Sequence, residues 1–129
     1  MSAQLPAPAP ELLVCASDDV LEGGPGVRFA VRAFGDAATA FVVRHHGQPR
    51  AYLNRCAHVP IELDWIKGTF FESSGLYLMC QTHGAIYLPD TGACAGGPCR
   101  GGRLHPVTVR EAAGKIFWQP DQQIQAPTT

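Results

Sequence analysis

Nowhere in these 129 residues do eighteen apolar side chains follow one another, and the first residues lack the charged start and apolar centre of a secretion signal. The sequence therefore predicts neither a membrane span nor export. Charge is scarce as well: ten Lys and Arg against eleven Asp and Glu leave a formal net charge of -1, with no basic face to attract nucleic acid. Nucleic acid is not an expected partner. No segment sustains the 3.6-residue period of a long amphipathic helix and no segment repeats, so a helical bundle and a solenoid are both excluded. Cysteine is present five times, an odd number that does not suit the paired framework of a small secreted domain.

What the chain has in quantity is apolar residues, 46% of the total, broken by 14 Gly and 11 Pro. That is the composition of short strands joined by tight turns, and the length fits one domain with a sizeable core. Residues 1–10 alternate Pro with small side chains and read as an extended, flexible lead-in. Leu12-Leu13-Val14-Cys15 is a first strand, and Leu21 to Gly26 is loop. Val27, Phe29 and Val31 then alternate with Arg28 and Arg32, the pattern of a strand with one wet face. Short strands follow at 41–44 and 51–55, joined by a hairpin turn at His46-Gly47-Gln48-Pro49, where His45 and His46 read as exposed turn residues.

Beyond these, 76–79 and 85–88 form a strand pair, a Gly-rich loop covers 95–102, and 107–110 and 115–118 close a final hairpin across Ala112-Ala113-Gly114. Residues 120–129 are polar and read as a flexible tail. The fold class is all-β: antiparallel strands in a sandwich or barrel over residues 11–119, with a smaller lobe of about 55–104 inserted.

Two short stretches carry the chemistry. Cys56-Ala57-His58 and Cys80-Gln81-Thr82-His83 each offer one thiolate and one imidazole, and twenty-one residues separate His58 from Cys80. Four soft ligands in this arrangement suit zinc or iron. Zinc knuckles more often pair Cys with Cys and His with His, whereas each loop here is mixed, the order expected when two His replace two Cys on one iron of a two-iron cluster. A structural zinc module is the alternative from another class.

These pairs, with Gly84, Thr91-Gly92 and Gly96-Gly97-Pro98 as a proline-bearing third loop, resemble the Rieske family over roughly residues 50–110. The resemblance implies one [2Fe-2S] cluster per chain, with Cys56 and Cys80 on the inner iron, His58 and His83 on the outer, and the outer imidazole edges facing solvent. It also implies the all-β architecture already read from the strand pattern. In high-potential relatives a disulfide clamps the two ligand loops. The corresponding positions are Ile61 and Thr82, so this chain resembles the low-potential, ferredoxin-like members, in keeping with a reducing cytoplasm. The high-potential relatives also place a Ser hydroxyl and a Tyr hydroxyl near the cluster; the matching positions are Ala85 and Tyr87, so one donor is missing and one retained, and Pro98 completes the surroundings.

Rieske oxygenases add a catalytic iron held by two His and a carboxylate. Only His45, His46 and His105 remain outside the ligand set, at spacings that do not supply it. The expected function is therefore not enzymatic. It is one-electron carriage between a reductase and a partner oxidoreductase or oxygenase, with a small subunit of a nitrite-reductase-like complex or a cluster-based redox sensor as alternatives, and a monomer suffices for it.

Three elements stay open. Cys94 and Cys99 flank the third loop and are expected as reduced, half-buried thiols, with a regulatory disulfide or a second metal site as the alternatives. The apolar stretch 60–71 is expected to be packing, and otherwise a shield or docking surface beside the cluster. Arg55, Arg100 and Arg103 either steer an acidic partner or form a solvated rim.

Overall fold

The computed structural model describes residues 10–127. Among the described residues, eleven strands form three antiparallel sheets. β1 (Leu12–Ala16), β9 (Val109–Ala112) and β10 (Lys115–Trp118) make a three-stranded sheet in the order β1-β10-β9. β2 (Val27–Ala33), β3 (Asp36–His45), β4 (Gln48–Leu53), β8 (Pro106–Val107) and β11 (Ile124–Gln125) make the central sheet, ordered β11-β2-β3-β4-β8. β5 (Leu78–Met79), β6 (Ile86–Tyr87) and β7 (Cys94–Gly96) form the small sheet of the lobe. Among the described residues the one helical element is a 3-10 turn at Ser17–Asp19, so no helix is long and apolar enough to cross a membrane.

The run Ala40-Phe41-Val42-Val43 explains how one sheet serves two cores. A strand turns alternate side chains to opposite faces, and here both faces are covered, so all four residues are buried. Ala40 and Val42, with Ala51 and Leu53 of β4, face the base core of Val31, Ala33, Ile116, Trp118 and Ile124. Phe41, Val43 and Tyr52 face the lobe and pack with Cys56, Leu63, Phe70, Leu78, Cys80 and Tyr87. Phe41 and Phe70 stack at 3.8 Å with planes 10° apart, which anchors the stretch between the ligand loops to the central sheet. Tyr52 hydroxyl donates to the Pro89 carbonyl at 2.7 Å and ties the β6–β7 connection to β4; its burial pushes the phenol pKa up to about 12. Gly92 must be glycine beside it, since a Cβ there would stand 2.7 Å from the Tyr52 ring.

Several expectations are corrected by this arrangement. Residues 120–127 do not stand free as a tail: Ile124, 1% exposed, fills the base core, and β11 pairs with β2 through Ile124↔Ala33. One apolar residue in a polar segment was too slight a periodic signal to show this. The lead-in expected at 1–10 lies outside the described residues except for residue 10. Val107 belongs to β8 on the central sheet, opposite Ala51, and not to the final hairpin, which begins at Val109. The β3–β4 turn is the two residues His46-Gly47, both at positive φ (53° and 77°), so His45 still pairs with Gln48 and is buried.

Candidate metal centre

The two ligand loops are built alike. Cys56 N–H donates to the Ile61 carbonyl and Cys80 N–H to the Ala85 carbonyl, each at 2.8 Å and each closing a loop on the fifth residue beyond the cysteine. Gly84 N–H adds a bond to the Cys80 carbonyl at 2.9 Å, with Gly84 at φ 77°, a conformation that costs glycine little. Strands supply rigid roots: β4 runs into Asn54 and Cys56, and β5 delivers Cys80.

Both thiols are buried and are hydrogen-bond neighbours of one another, while both imidazoles are exposed. The rings of His58 and His83 converge edge to face, their centroids 5.1 Å apart. Tyr87 hydroxyl lies 3.1 Å from Cys56 Sγ and accepts the Ala57 N–H at 3.0 Å, leaving its proton for the sulfur. Burial raises the Tyr87 pKa, as does the adjacent sulfur, so the phenol stays a donor. Burial also opposes a thiolate at Cys56, but Tyr87, the His58 and Val59 amides and the Cys80 thiol together outweigh it and hold its pKa below the usual thiol value. At Cys80 burial prevails: the Thr82 and His83 amides favour the thiolate, but the neighbouring Cys56 opposes it and the pKa is raised. Two buried sulfurs side by side, surrounded by N–H and O–H donors, are a set that a cationic iron-sulfur centre satisfies and that two bare thiolates do not.

Ala85, wholly buried, has no hydroxyl to offer, and Pro98 is exposed at the tip of the third loop. That loop seats directly on the ligand loops. A Cβ on Gly97 would stand 2.9 Å from the Gly84 carbonyl, and one on Gly102 would stand 2.9 Å from Ala57 Cβ. Cys94 and Cys99 are not the separate thiols expected: they form a disulfide across the loop, with Cα atoms 5.6 Å apart. The turn at Gly97-Pro98 folds the chain back on β7 and brings them within bridging range, a path that counting residues does not reveal.

Other organising residues gave no motif. Asn54 and Asp64 are buried and bonded to each other at 2.8 Å; Asn54 also accepts the Leu63 N–H, and Asp64 the Gly68 N–H. Gln81, between the second pair of candidate ligands, accepts the Ile66 N–H at 2.9 Å and donates to the Thr69 carbonyl at 3.3 Å. A polar residue inside an apolar stretch, Asp64, was the one available signal. The stretch 60–71 divides in two: Leu63, Phe70 and Phe71 are core, as expected, but Trp65 and Ile66 are 82% and 65% exposed. His45 and His46 meet at Asp90, 2.8 Å and 3.3 Å from its carboxylate, apart from the ligand loops.

The described residues thus combine three antiparallel sheets with two alike loops that bring Cys56 beside Cys80 and His58 beside His83. The family model for the Rieske [2Fe-2S] domain matches residues 11–111, and the chain belongs to that family. The family's cofactor is a [2Fe-2S] cluster, which decides against a zinc module. Among curated proteins none matches this chain. Among solved structures it is similar to the ferredoxin of carbazole 1,9a-dioxygenase from Nocardioides aromaticivorans IC177, with a TM-score of 0.68, 23% identity, and 88% of this chain and 100% of that one covered. A chain in a complex of reduced oxygenase and oxidised ferredoxin of carbazole 1,9a-dioxygenase gives a TM-score of 0.64 at 27% identity, covering 84% of this chain and 92% of that one. In a reduced complex between the same two components, the chain spans only 27% of the matched chain, at a TM-score of 0.65 and 20% identity.

Proposed function

We infer that this protein carries single electrons from a reductase to a terminal oxygenase, with Cys56 and Cys80 holding the inner iron and His58 and His83 the outer iron of its cluster. The observation that carries this reading is the convergence of the two equivalently closed loops: buried sulfurs behind, exposed imidazoles in front. Bound there, a [2Fe-2S] cluster supplies a one-electron couple. The chain's own residues do the rest. Strand-rooted loops keep the four donors in place whatever the charge state, Tyr87 and the loop amides stabilise negative sulfur, and His58 and His83 offer the exposed route in and out. A ferredoxin-like role is favoured over an accessory subunit because the chain spans the whole of the matched ferredoxin.

A cytoplasmic setting fits Ile61 and Thr82 at the clamp positions; the Cys94–Cys99 bond argues the other way, since disulfides are uncommon in reducing compartments. Counting free thiols in protein prepared without air tests the setting. For the function, protein reduced with dithionite and freed of excess is mixed with an oxidised Rieske oxygenase component. The expected result is one electron delivered per chain, seen as recovery of the oxidised spectrum. A stable reduced spectrum in the presence of every oxygenase and reductase tried would contradict the reading.

A further inference from the structure

The stretch between the ligand loops pushes Trp65 and Ile66, two large apolar side chains, into solvent beside the centre. They are not loose. Gln81, between Cys80 and His83, holds the Ile66 N–H and the Thr69 carbonyl, and its own N–H donates to the Leu63 carbonyl at 3.0 Å, while Phe70 stacks on Phe41 behind. A rigidly held apolar knob in water costs free energy unless something covers it.

Its surroundings indicate what. The third loop abuts both ligand loops and Gln81 ties Ile66 to the second, so stretches 55–60, 65–68, 81–84 and 95–103 adjoin one another at the ligand loops. They contain Arg55, Lys67, Arg100 and Arg103 and not one Asp or Glu. The nearest acids in sequence are already partnered: Glu62 pairs with Arg28 at 2.7 Å, and Asp64 is buried against Asn54. A chain of net charge -1 therefore carries only cations on the stretches that adjoin its ligand loops.

Resting on the electron-carrier reading, we propose that Trp65 and Ile66, with the exposed cations Lys67 beside them in the chain and Arg100 on the third loop, form the docking surface for a redox partner whose contact face is an apolar patch edged by carboxylates. The indole and isoleucine seat in the patch and exclude water, and the cations set the orientation and speed the encounter.

The test uses the holo protein, reduced and followed by stopped flow against three oxidants: plastocyanin, an acidic blue-copper protein; cytochrome c, ringed by lysines; and benzoquinone, small and neutral. With plastocyanin the rate constant should fall roughly tenfold between about 20 mM and about 300 mM salt, as screening removes a long-range attraction. Trp65→Ser with Ile66→Ser should lower it several-fold at fixed salt. Lys67→Glu with Arg100→Glu should reverse the salt dependence and favour cytochrome c. Benzoquinone rates should stay the same throughout, which shows that the variants keep a working centre; Lys67→Glu alone carries the charge test should a double variant lose its colour. A plastocyanin rate that rises with salt, no effect of the Trp65 and Ile66 changes, or a dimer in sedimentation that dissolves with them would overturn the proposal. Failure to reduce benzoquinone would overturn the electron-carrier reading beneath it, a result distinct from loss of partner preference.

Discussion

The loop of Cys56 and the loop of Cys80 share a backbone and differ in their side chains. Each cysteine N–H reaches the carbonyl five residues on, so the frame that places a thiol beside an imidazole is repeated. Yet Cys56 has the Tyr87 hydroxyl and a lowered pKa, while Cys80 has Ala85 at its closing position and a raised one. The backbone holds the centre and the side chains set its charge balance. A family can therefore keep one frame and move its potential by changing single hydroxyls.

The largest effect tests the shared part. Cys56→Ser or Cys80→Ser should each abolish the visible spectrum and unfold much of the lobe, because binding at the centre is part of the folding free energy. Circular dichroism and iron content check it, and a normal spectrum in either variant would contradict the ligand assignment. Phe70→Ala removes the stack behind the first loop and should destabilise the protein by about 3–5 kcal/mol, read by denaturant titration.

The unshared part predicts smaller, signed shifts. A hydrogen bond to a charged acceptor is worth roughly 1.5–3 kcal/mol, which for one electron corresponds to roughly 60–130 mV. Tyr87→Phe should lower the midpoint by that order and Ala85→Ser should raise it, since a donor favours the more negative reduced state; voltammetry measures both. Opening the third loop with Cys94→Ser should cost about 2 kcal/mol by the chain-entropy estimate for so short a loop, with iron content retained.

The smallest effect lies away from the centre. The Asp90 carboxyl is raised by burial but lowered more by His45, Arg50 and His46, so it sits below its ordinary value of 3.8. Its contribution is present above that value and is lost as pH falls through the lower folded one. Asp90→Asn should thus cost under about 1 kcal/mol at neutral pH and flatten the acid limb of the stability curve.

The same contrast explains what could be read in the chain. Cys56, His58, Cys80 and His83 stand out in the sequence as candidate ligands because each pair is local and its spacing is itself the signal. Tyr87 was legible as a position near the first cysteine, and strand β2 by its alternation. What depended on the path of the chain was hidden: the Cys94–Cys99 bond needed the turn at Gly97-Pro98, the seating of Ile124 needed the open edge of β2, and the Asn54–Asp64 pair joins residues that form no motif. Trp65 and Ile66 read as packing because hydrophobicity alone does not tell a core residue from a docking one.

The central claim is that these two loops together hold one cluster through two Cys and two His. Iron and acid-labile sulfide analysis of the purified protein, joined to EPR of its reduced form, tests it most directly. The account predicts two irons and two sulfides per chain and a spectrum with the average g of mixed His and Cys ligation. One stoichiometric zinc without sulfide, or a signal typical of four-cysteine ligation, would contradict it.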